Sequence, residues 1–338
     1  MRVFLTGGTG LLGSHLAHEL RKHECEVVAL HRRDSKTLFL EENECDLVQG
    51  DVRDDVAVLA TMMEGCSHVV HGAALVYAGG SWPQVRAVNV DGTRNVLTAA
   101  HVAGVQHAVH LSSVAVYGDS PGPVDETKLT DSDLPPEDLY ARSKREAEKV
   151  AREIEERRNF PVTIIRPSAV YGERDRLMGP ALVDILRLPL VPIFGPGKNA
   201  LPVVYAGNVA VATRLAVEAA QVSKTYNVGL DHALTQRELF EYLGAGFGID
   251  PRFVTIPGPL VKSGGGVLAR LGVKTPGAKH LPINRLTKLV LSDNPYPSGL
   301  IRDELGWSPA YEHRPALERT GRWLAQHPMT HQRGSRMF

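Results

Sequence analysis

Val3-Phe4-Leu5-Thr6-Gly7-Gly8-Thr9-Gly10-Leu11-Leu12-Gly13 passes from a short apolar run, through a glycine-rich turn, into the apolar period of a helix. Val3 to Thr6 reads as a strand and Leu11 to Lys22 as a helix, so the turn joins β to α. Glycines at 7, 10 and 13 permit a tight turn and keep side chains off its rim. A helix opening there presents unpaired backbone N–H groups and the positive end of its dipole. That arrangement suits the pyrophosphate of a dinucleotide, with Gly7, Thr9, Gly10, Leu11, Leu12 and Gly13 as the contact residues. The spacing is GxxGxxG rather than GxGxxG, so the flanking strand and helix carry the reading.

Outward from this turn, short apolar runs alternate with helical patterns. Glu26 to His31, Leu47 to Gly50, Ser67 to His71, His107 to Leu111 and Val162 to Arg166 read as strands. Asp54 to Glu64, a long stretch from about Gln84 to Ala103, and Tyr140 to Arg157 read as helices. Such alternation predicts an α/β fold: a Rossmann-type, doubly wound parallel sheet with a smaller C-terminal substrate-binding domain. The dinucleotide domain is expected over 1–167, with returns near 203–228. Residues 168–202 and 229–330, richer in Pro and Gly, are assigned to the substrate domain.

The end of the second strand bears on the choice of dinucleotide. A carboxylate there would hold the adenosine ribose; a cation would accept a 2′-phosphate. Val27 to Leu30 runs into His31-Arg32-Arg33, with no acid before Asp34. Two guanidiniums suit a phosphate, which favours NADP(H), with NAD(H) as the alternative. Asp51 and Val52, after the third strand, are placed to meet the adenine. Ala73 and Ala74, after the fourth, are placed to line the nicotinamide side.

Tyr140-Ala141-Arg142-Ser143-Lys144 sets a phenol and an ammonium on one helix face. Of the nine tyrosines, Tyr140 alone has a lysine four residues later. A free phenol titrates near 10 and is a poor base at neutral pH. A neighbouring ammonium stabilises phenolate and brings it into working range. Ser112-Ser113 ends the preceding strand, where ligands bind in such sheets, and can offer a hydroxyl to a substrate oxygen. Together they fit a carbonyl reduced by hydride while Tyr140 supplies the proton.

Lys plus Arg total 38 and Asp plus Glu total 38 in 338 residues. Zero formal charge argues against nucleic acid as a partner; a small molecule is expected. Cys25, Cys45 and Cys66 have no metal-site spacing, so free thiols, no metal and a reducing compartment are expected. The first strand begins at Arg2, which leaves no room for a leader, and no apolar run reaches membrane-span length; a cytoplasmic location is expected. From Pro251 to Ser292 there is no acid but seven Lys and Arg. That stretch reads as a solvated lid in preference to a lip contacting membrane. Tyr77, Tyr171, Met178 and Phe194 are candidates for a pocket lining or for core.

TGGTGLLG at 6–13, GDVRD at 50–54, HGAA at 71–74, NVDGTRN at 89–95, SSVAVYG at 112–118, YARSK at 140–144 and RPSAVYG at 166–172 together resemble the extended short-chain dehydrogenase/reductases, which include the NAD-dependent epimerase/dehydratases. The resemblance implies catalytic roles for Ser113, Tyr140 and Lys144, and a structural, cofactor-shell role for Asn89. It places Pro167 and Val170 near the nicotinamide, and it implies a homodimer through 84–103 and 140–157. VYAGNVA at 204–210 and the segment from Asn294 to Trp307 look most like the 3β-hydroxysteroid dehydrogenase branch, with dihydroflavonol-reductase-like ketone reductases also similar. Many sugar-nucleotide epimerases carry an arginine, where Leu201 and Pro202 stand here, to clamp a diphosphate. The steroid branch usually ends its second strand with an acid and uses NAD, whereas this chain has arginines. The resemblance therefore implies an NADP(H)-dependent oxidoreductase acting on a ketone or secondary alcohol of a mainly apolar substrate. A sugar-nucleotide epimerase or dehydratase retaining NAD, and a non-catalytic dinucleotide sensor, are the alternatives.

Overall fold

The computed structural model describes residues 1–76, 81–120, 122–219, 223–229, 231–257 and 293–328. Its contacts divide the chain into two units. The first comprises 1–170, 202–233 and 293–311; the second comprises 171–201, 234–292 and 312–338. Residues 293–311, assigned to the substrate domain from sequence, thus group with the first unit. Their buried Ile301 and Trp307 join the same apolar cluster as the first strand. The basic stretch expected as a lid falls mostly outside the described residues, as does Tyr77.

The first unit is built on the parallel sheet expected from sequence. Its strands are β1 (Arg2–Thr6), β2 (Glu26–His31), β3 (Asp46–Gln49), β4 (His68–His71), β5 (His107–Leu111), β6 (Val162–Pro167) and β10 (Thr225–Val228). The order is β10-β6-β5-β4-β1-β2-β3, parallel throughout. Between β1 and β4 the winding reverses, which opens a crevice at the strands' C-terminal ends. Alternate residues of each strand feed two cores. Val3, Leu5, Val70, Val109 and Ile165 belong to the core containing α1 (Leu11–Lys22) and α8 (Ala206–Glu218). Phe4, Val69, Ala108, Val162 and Ile164 face the other, with α3 (Val56–Met62), α5 (Gly92–Val102) and α6 (Leu139–Arg158). A short α2 (Leu38–Glu42) precedes β3, and its Leu40 joins the core containing α1.

Two sequence readings are corrected here. The helix expected over 84–103 is interrupted: α4 (Trp82–Arg86) leads into a π-helical turn, Ala87–Asp91, before α5. An extra residue in the turn re-aims the side chains around it. Buried Asn89 turns its amide onto Leu75, accepting from the Leu75 N–H at 2.7 Å and donating to its carbonyl at 3.0 Å. The second correction concerns 203–216. β9 (Val203–Tyr205) does not return to the central sheet but pairs with β7 (Ala169–Tyr171) in a two-stranded sheet. β10 does return, as the edge strand beside β6.

In the second unit, β8 (Val191–Phe194) pairs in parallel with β11 (Phe253–Ile256). Helices α7 (Met178–Leu186), α9 (Gln236–Phe247) and α11 (His313–Gln326) pack together, while α10 (Gly299–Leu305) lies in the first unit. Close approach of α9 and α11 requires glycine: a Cβ at Gly321 would overlap the Leu243 carbonyl. Among the pocket candidates, Tyr171 is buried with its hydroxyl 2.7 Å from His313 Nδ1. Phe194 pairs through its backbone with the Gln236 amide, and Met178 opens α7.

Candidate active site

The glycine turn after β1 lies at the crevice. Gly7 has φ +78°, a left-handed conformation, and a Cβ there would stand 2.7 Å from the Gly72 carbonyl carbon. A Cβ at Gly13 would overlap the Gly7 carbonyl oxygen. The turn and the loop after β4 are thus in backbone contact, closed further by Gly72 N–H to the Thr6 carbonyl at 3.2 Å. α1 opens at Gly10 in an extended conformation with no side-chain cap, so its first N–H groups face the crevice mouth uncovered by a side chain. Thr9, Leu11 and Leu12 are half-buried on the rim, and Gly13 is buried. This cradle fits a dinucleotide pyrophosphate: glycine backbone within reach, a dipole's positive end, and no side chain in the way.

A hydrogen-bonded chain of neutral groups ties the cradle to α5 and α6. Thr6 Oγ accepts from the Ala73 N–H at 3.1 Å and lies 2.8 Å from His71 Nδ1. His71 Nε2 lies 3.0 Å from Thr93 Oγ, which donates to the Asn89 carbonyl at 2.7 Å. Thr93 spends its proton on that carbonyl, so His71 must donate through Nε2 and accept through Nδ1. Burial and the nearby Lys144 charge push the His71 imidazole down to about 3, which keeps it in that neutral form. Asn89 then donates to Ser143 Oγ at 2.8 Å, and Ser143 donates to the Tyr140 carbonyl at 2.8 Å. Ala74 is half-buried beside Ala73 in the same loop. His71, Thr93 and Ser143 were not singled out from sequence. His71 and Thr93 stood inside quoted motifs, but their pairing depends on β4 lying against α5.

At the end of β2, His31 is half-buried, and Arg32 and Arg33 are exposed. The Arg32 N–H donates to Ser35 Oγ at 3.2 Å, which shapes this turn. Asp51 is held by its neighbour: Arg53 Nε and Nη2 donate to its two oxygens at 2.9 and 2.8 Å. That pairing, against some burial, keeps the Asp51 carboxyl below the usual range; Arg32 contributes less. Val52 is buried against Gly92, and its carbonyl accepts from Asn95 Nδ2 at 3.2 Å. Pro167 ends β6 in a buried position, and Val170 is half-buried against the core containing α1.

α6 carries the phenol and the ammonium. Asp138 caps it, accepting from the Ala141 N–H at 3.0 Å. Tyr140 follows in the first turn, half-buried, and Lys144 lies one turn on, buried. Lys144 Nζ donates to the Leu111 carbonyl at 2.6 Å, which brings it to the C-terminal end of β5. Burial lowers the Lys144 amine to about 8, with Glu148 one turn further along opposing that fall. Ser112 is buried, and Ser113 is half-buried directly after it. Ser113 Oγ accepts from the Ala115 N–H at 3.2 Å and so starts a 3-10 turn, Val114–Tyr117. The strand end, the serine pair and the helix face therefore meet around one carbonyl, that of Leu111. No cluster of three or more metal-ligating side chains occurs among the described residues. The three cysteines are free and buried.

Where a diphosphate clamp would stand, Leu201 and Pro202 are both buried, and the Leu201 N–H donates to the Leu234 carbonyl at 2.8 Å. No helix among the described residues is long and apolar enough to cross a membrane.

Comparison with known proteins places the chain in a family. The chain is 30% identical over 258 residues to the 2-alkyl-3-oxoalkanoate reductase of Stenotrophomonas maltophilia (strain K279a), covering 73% of this chain and 76% of that protein. It is 26% identical over 348 residues to the 3beta-hydroxysteroid-dehydrogenase/decarboxylase isoform 2 of Arabidopsis thaliana, covering 94% of this chain and 60% of that protein. The solved structure of DesIV, a dTDP-glucose 4,6-dehydratase from Streptomyces venezuelae with NAD bound, is similar with a TM-score of 0.72. That likeness comes at 26% identity and covers 97% of this chain and 98% of that one. Residues 3–229 match the model of the NAD dependent epimerase/dehydratase family. On sheet order, glycine cradle and sequence alike, the chain belongs to the NAD dependent epimerase/dehydratase family and is an enzyme of the extended short-chain dehydrogenase/reductase type.

Proposed function

We propose that this enzyme is an NADP(H)-dependent reductase of a ketone on a mainly apolar substrate, or equally the dehydrogenase of the corresponding secondary alcohol. The observation that carries the chemistry is Lys144: a buried amine one turn beyond Tyr140, tied at 2.6 Å to the end of β5 beside the serine pair. When bound, the dinucleotide supplies or takes the hydride. Tyr140 gives its phenolic proton to the carbonyl oxygen in reduction and recovers it in oxidation. The Lys144 ammonium stabilises the phenolate left behind, and Ser113 donates a hydrogen bond to the substrate oxygen. Lys144 holds its position through the strand carbonyl, while Asn89 and Ser143 anchor the turn that carries Tyr140.

Arg32 and Arg33, exposed at the end of β2, supply the charge that a 2′-phosphate needs. Leu201 and Pro202 offer no charge to a diphosphate, which disfavours a nucleotide sugar and supports a mainly apolar substrate. The similarity to a reductase named for 2-alkyl-3-oxoalkanoates points the same way. The test is oxidation of NADPH and of NADH against steroid ketones, aryl ketones and β-keto carbonyl compounds. Turnover with NADPH is expected, and Tyr140→Phe is expected to lower it by about 100-fold or more while leaving dinucleotide binding in place. A Tyr140→Phe protein of undiminished activity would remove the mechanism. Tightly bound NAD with turnover of a nucleotide sugar, without added dinucleotide, would establish the epimerase or dehydratase alternative instead.

A further inference from the structure

Glu148 follows Lys144 by one helical turn on the face that begins with Tyr140, an uninterrupted i, i+4, i+8 series. Both the Glu148 carboxylate and the Arg166 guanidinium facing it from β6 are buried, at 6% and 7% exposure. Arg166 holds the two carboxylate oxygens through Nε at 2.8 Å and Nη2 at 2.6 Å. Its remaining arm donates to the Tyr117 hydroxyl at 2.7 Å, and that hydroxyl donates to Asn227 Oδ1 at 2.9 Å. Asn227 Nδ2 in turn donates to the Val124 carbonyl at 3.0 Å. The Arg166 guanidinium carbon also stands 4.8 Å from the Tyr117 ring centroid. Each polar arm of the Arg166 guanidinium thus has a partner.

We propose that the Arg166–Glu148 pair is a positioning device for the Lys144 ammonium: by engaging both oxygens of Glu148, Arg166 sets how much negative charge the lysine faces from the next turn of its own helix. The inference deepens the reductase reading, in which Lys144 must be an ammonium to hold the Tyr140 phenolate.

The surroundings of Lys144 single out Glu148. From β4 and β5, His71 and His110 face it, stacked on each other with centroids 5.4 Å apart. Burial keeps both imidazoles neutral, so they add no charge. The end of β5 contributes the Leu111 carbonyl, a dipole. On α6 itself, Tyr140 lies one turn before, and Arg152, two turns after, is engaged by Glu155 and the Val162 carbonyl. β6 contributes Arg166, and the π-helical turn contributes the uncharged Asn89 amide. Glu126, on the far side of Arg166, accepts from the Asn227 N–H at 2.7 Å. Two effects therefore compete at the amine: burial, which favours loss of the proton, and Glu148, which favours keeping it. A free carboxylate at i+4 would pair with the lysine directly and draw it off the Leu111 carbonyl. A carboxylate clamped by Arg166 supplies its field without taking the hydrogen bond.

The experiment is a pH titration of the Lys144 Cε resonance in protein labelled with 13C-lysine, without substrate or dinucleotide, the signal being identified by its loss in Lys144→Met. Glu148→Gln removes the opposing charge while keeping the side-chain shape. The Lys144 midpoint is expected to fall by about one pH unit. Glu148→Met/Arg166→Met removes the pair without leaving a lone buried charge and is expected to lower the midpoint as well. A folded variant whose midpoint stays at the wild-type value reduces the pair to a brace and overturns the proposal, and so does failure of both variants to fold. Because no substrate enters the measurement, loss of the reductase reading would leave its result standing.

Discussion

Lys144 is held in a place that disfavours its own charge. Its amine is lowered to about 8 by burial, from an ordinary value of 10.5. Below about 8 both folded and unfolded chains carry the proton, and the folded state bears the full cost of burying it. As pH rises from about 8 toward 10.5, the folded state releases the proton first, and stability climbs across that window. Lys144→Met is therefore expected to stabilise the protein at pH 7 by roughly 1–3 kcal/mol, after the lost bond to the Leu111 carbonyl is counted, with a smaller gain at pH 10. Urea unfolding of both proteins at the two pH values measures this. A Lys144→Met protein less stable at pH 7 than the parent would show that burial costs less than the hydrogen bond contributes. The Tyr–Lys spacing was legible in the chain because i and i+4 share a helix face whatever surrounds them. Glu148 could have been read the same way, being four residues further on. Its partner Arg166 could not, since only the neighbouring of α6 and β6 brings them together.

At the level of elements, the π-helical turn carries more than a helix boundary. Asn89 uses every polar atom of its amide, on Leu75 and on Ser143, and so joins the loop after β4 to the helix that carries Tyr140. Asn89→Ala leaves the Leu75 N–H and carbonyl without those partners. It is expected to cost about 1–3 kcal/mol of stability and to weaken dinucleotide binding. Denaturation and a fluorescence titration with NADPH read the two effects; an Asn89→Ala protein matching the parent in both would show that the loop keeps its place without the amide. Strands and flanking helices of the first unit were readable because a buried parallel strand is short, branched and apolar, and its helices are periodic. The π turn was not, since one inserted residue leaves the apolar spacing close to helical. The β7–β9 pair was missed for a related reason: Val203–Tyr205 has the composition of a central strand, and only pairing decides which sheet takes it.

Across the whole molecule the charges cancel, so specificity for a phosphate has to be local. Arg32→Ala/Arg33→Ala is expected to weaken NADPH binding about tenfold or more while leaving NADH nearly unchanged. Titration of both dinucleotides tests this, and an equal loss for the two would assign these arginines to no 2′-phosphate. The chain's own order of residues determined the α/β class, the glycine cradle, the helix bearing Tyr140 and Lys144, and the family, because each follows from local periodicity or from contiguous motifs. Tertiary structure alone decided that Lys144 ends on the Leu111 carbonyl, that His71 is a neutral link with one tautomer, and that 293–311 packs with the first unit. Those are contacts between residues far apart in the chain, set by which strands lie side by side and by how much water burial removes.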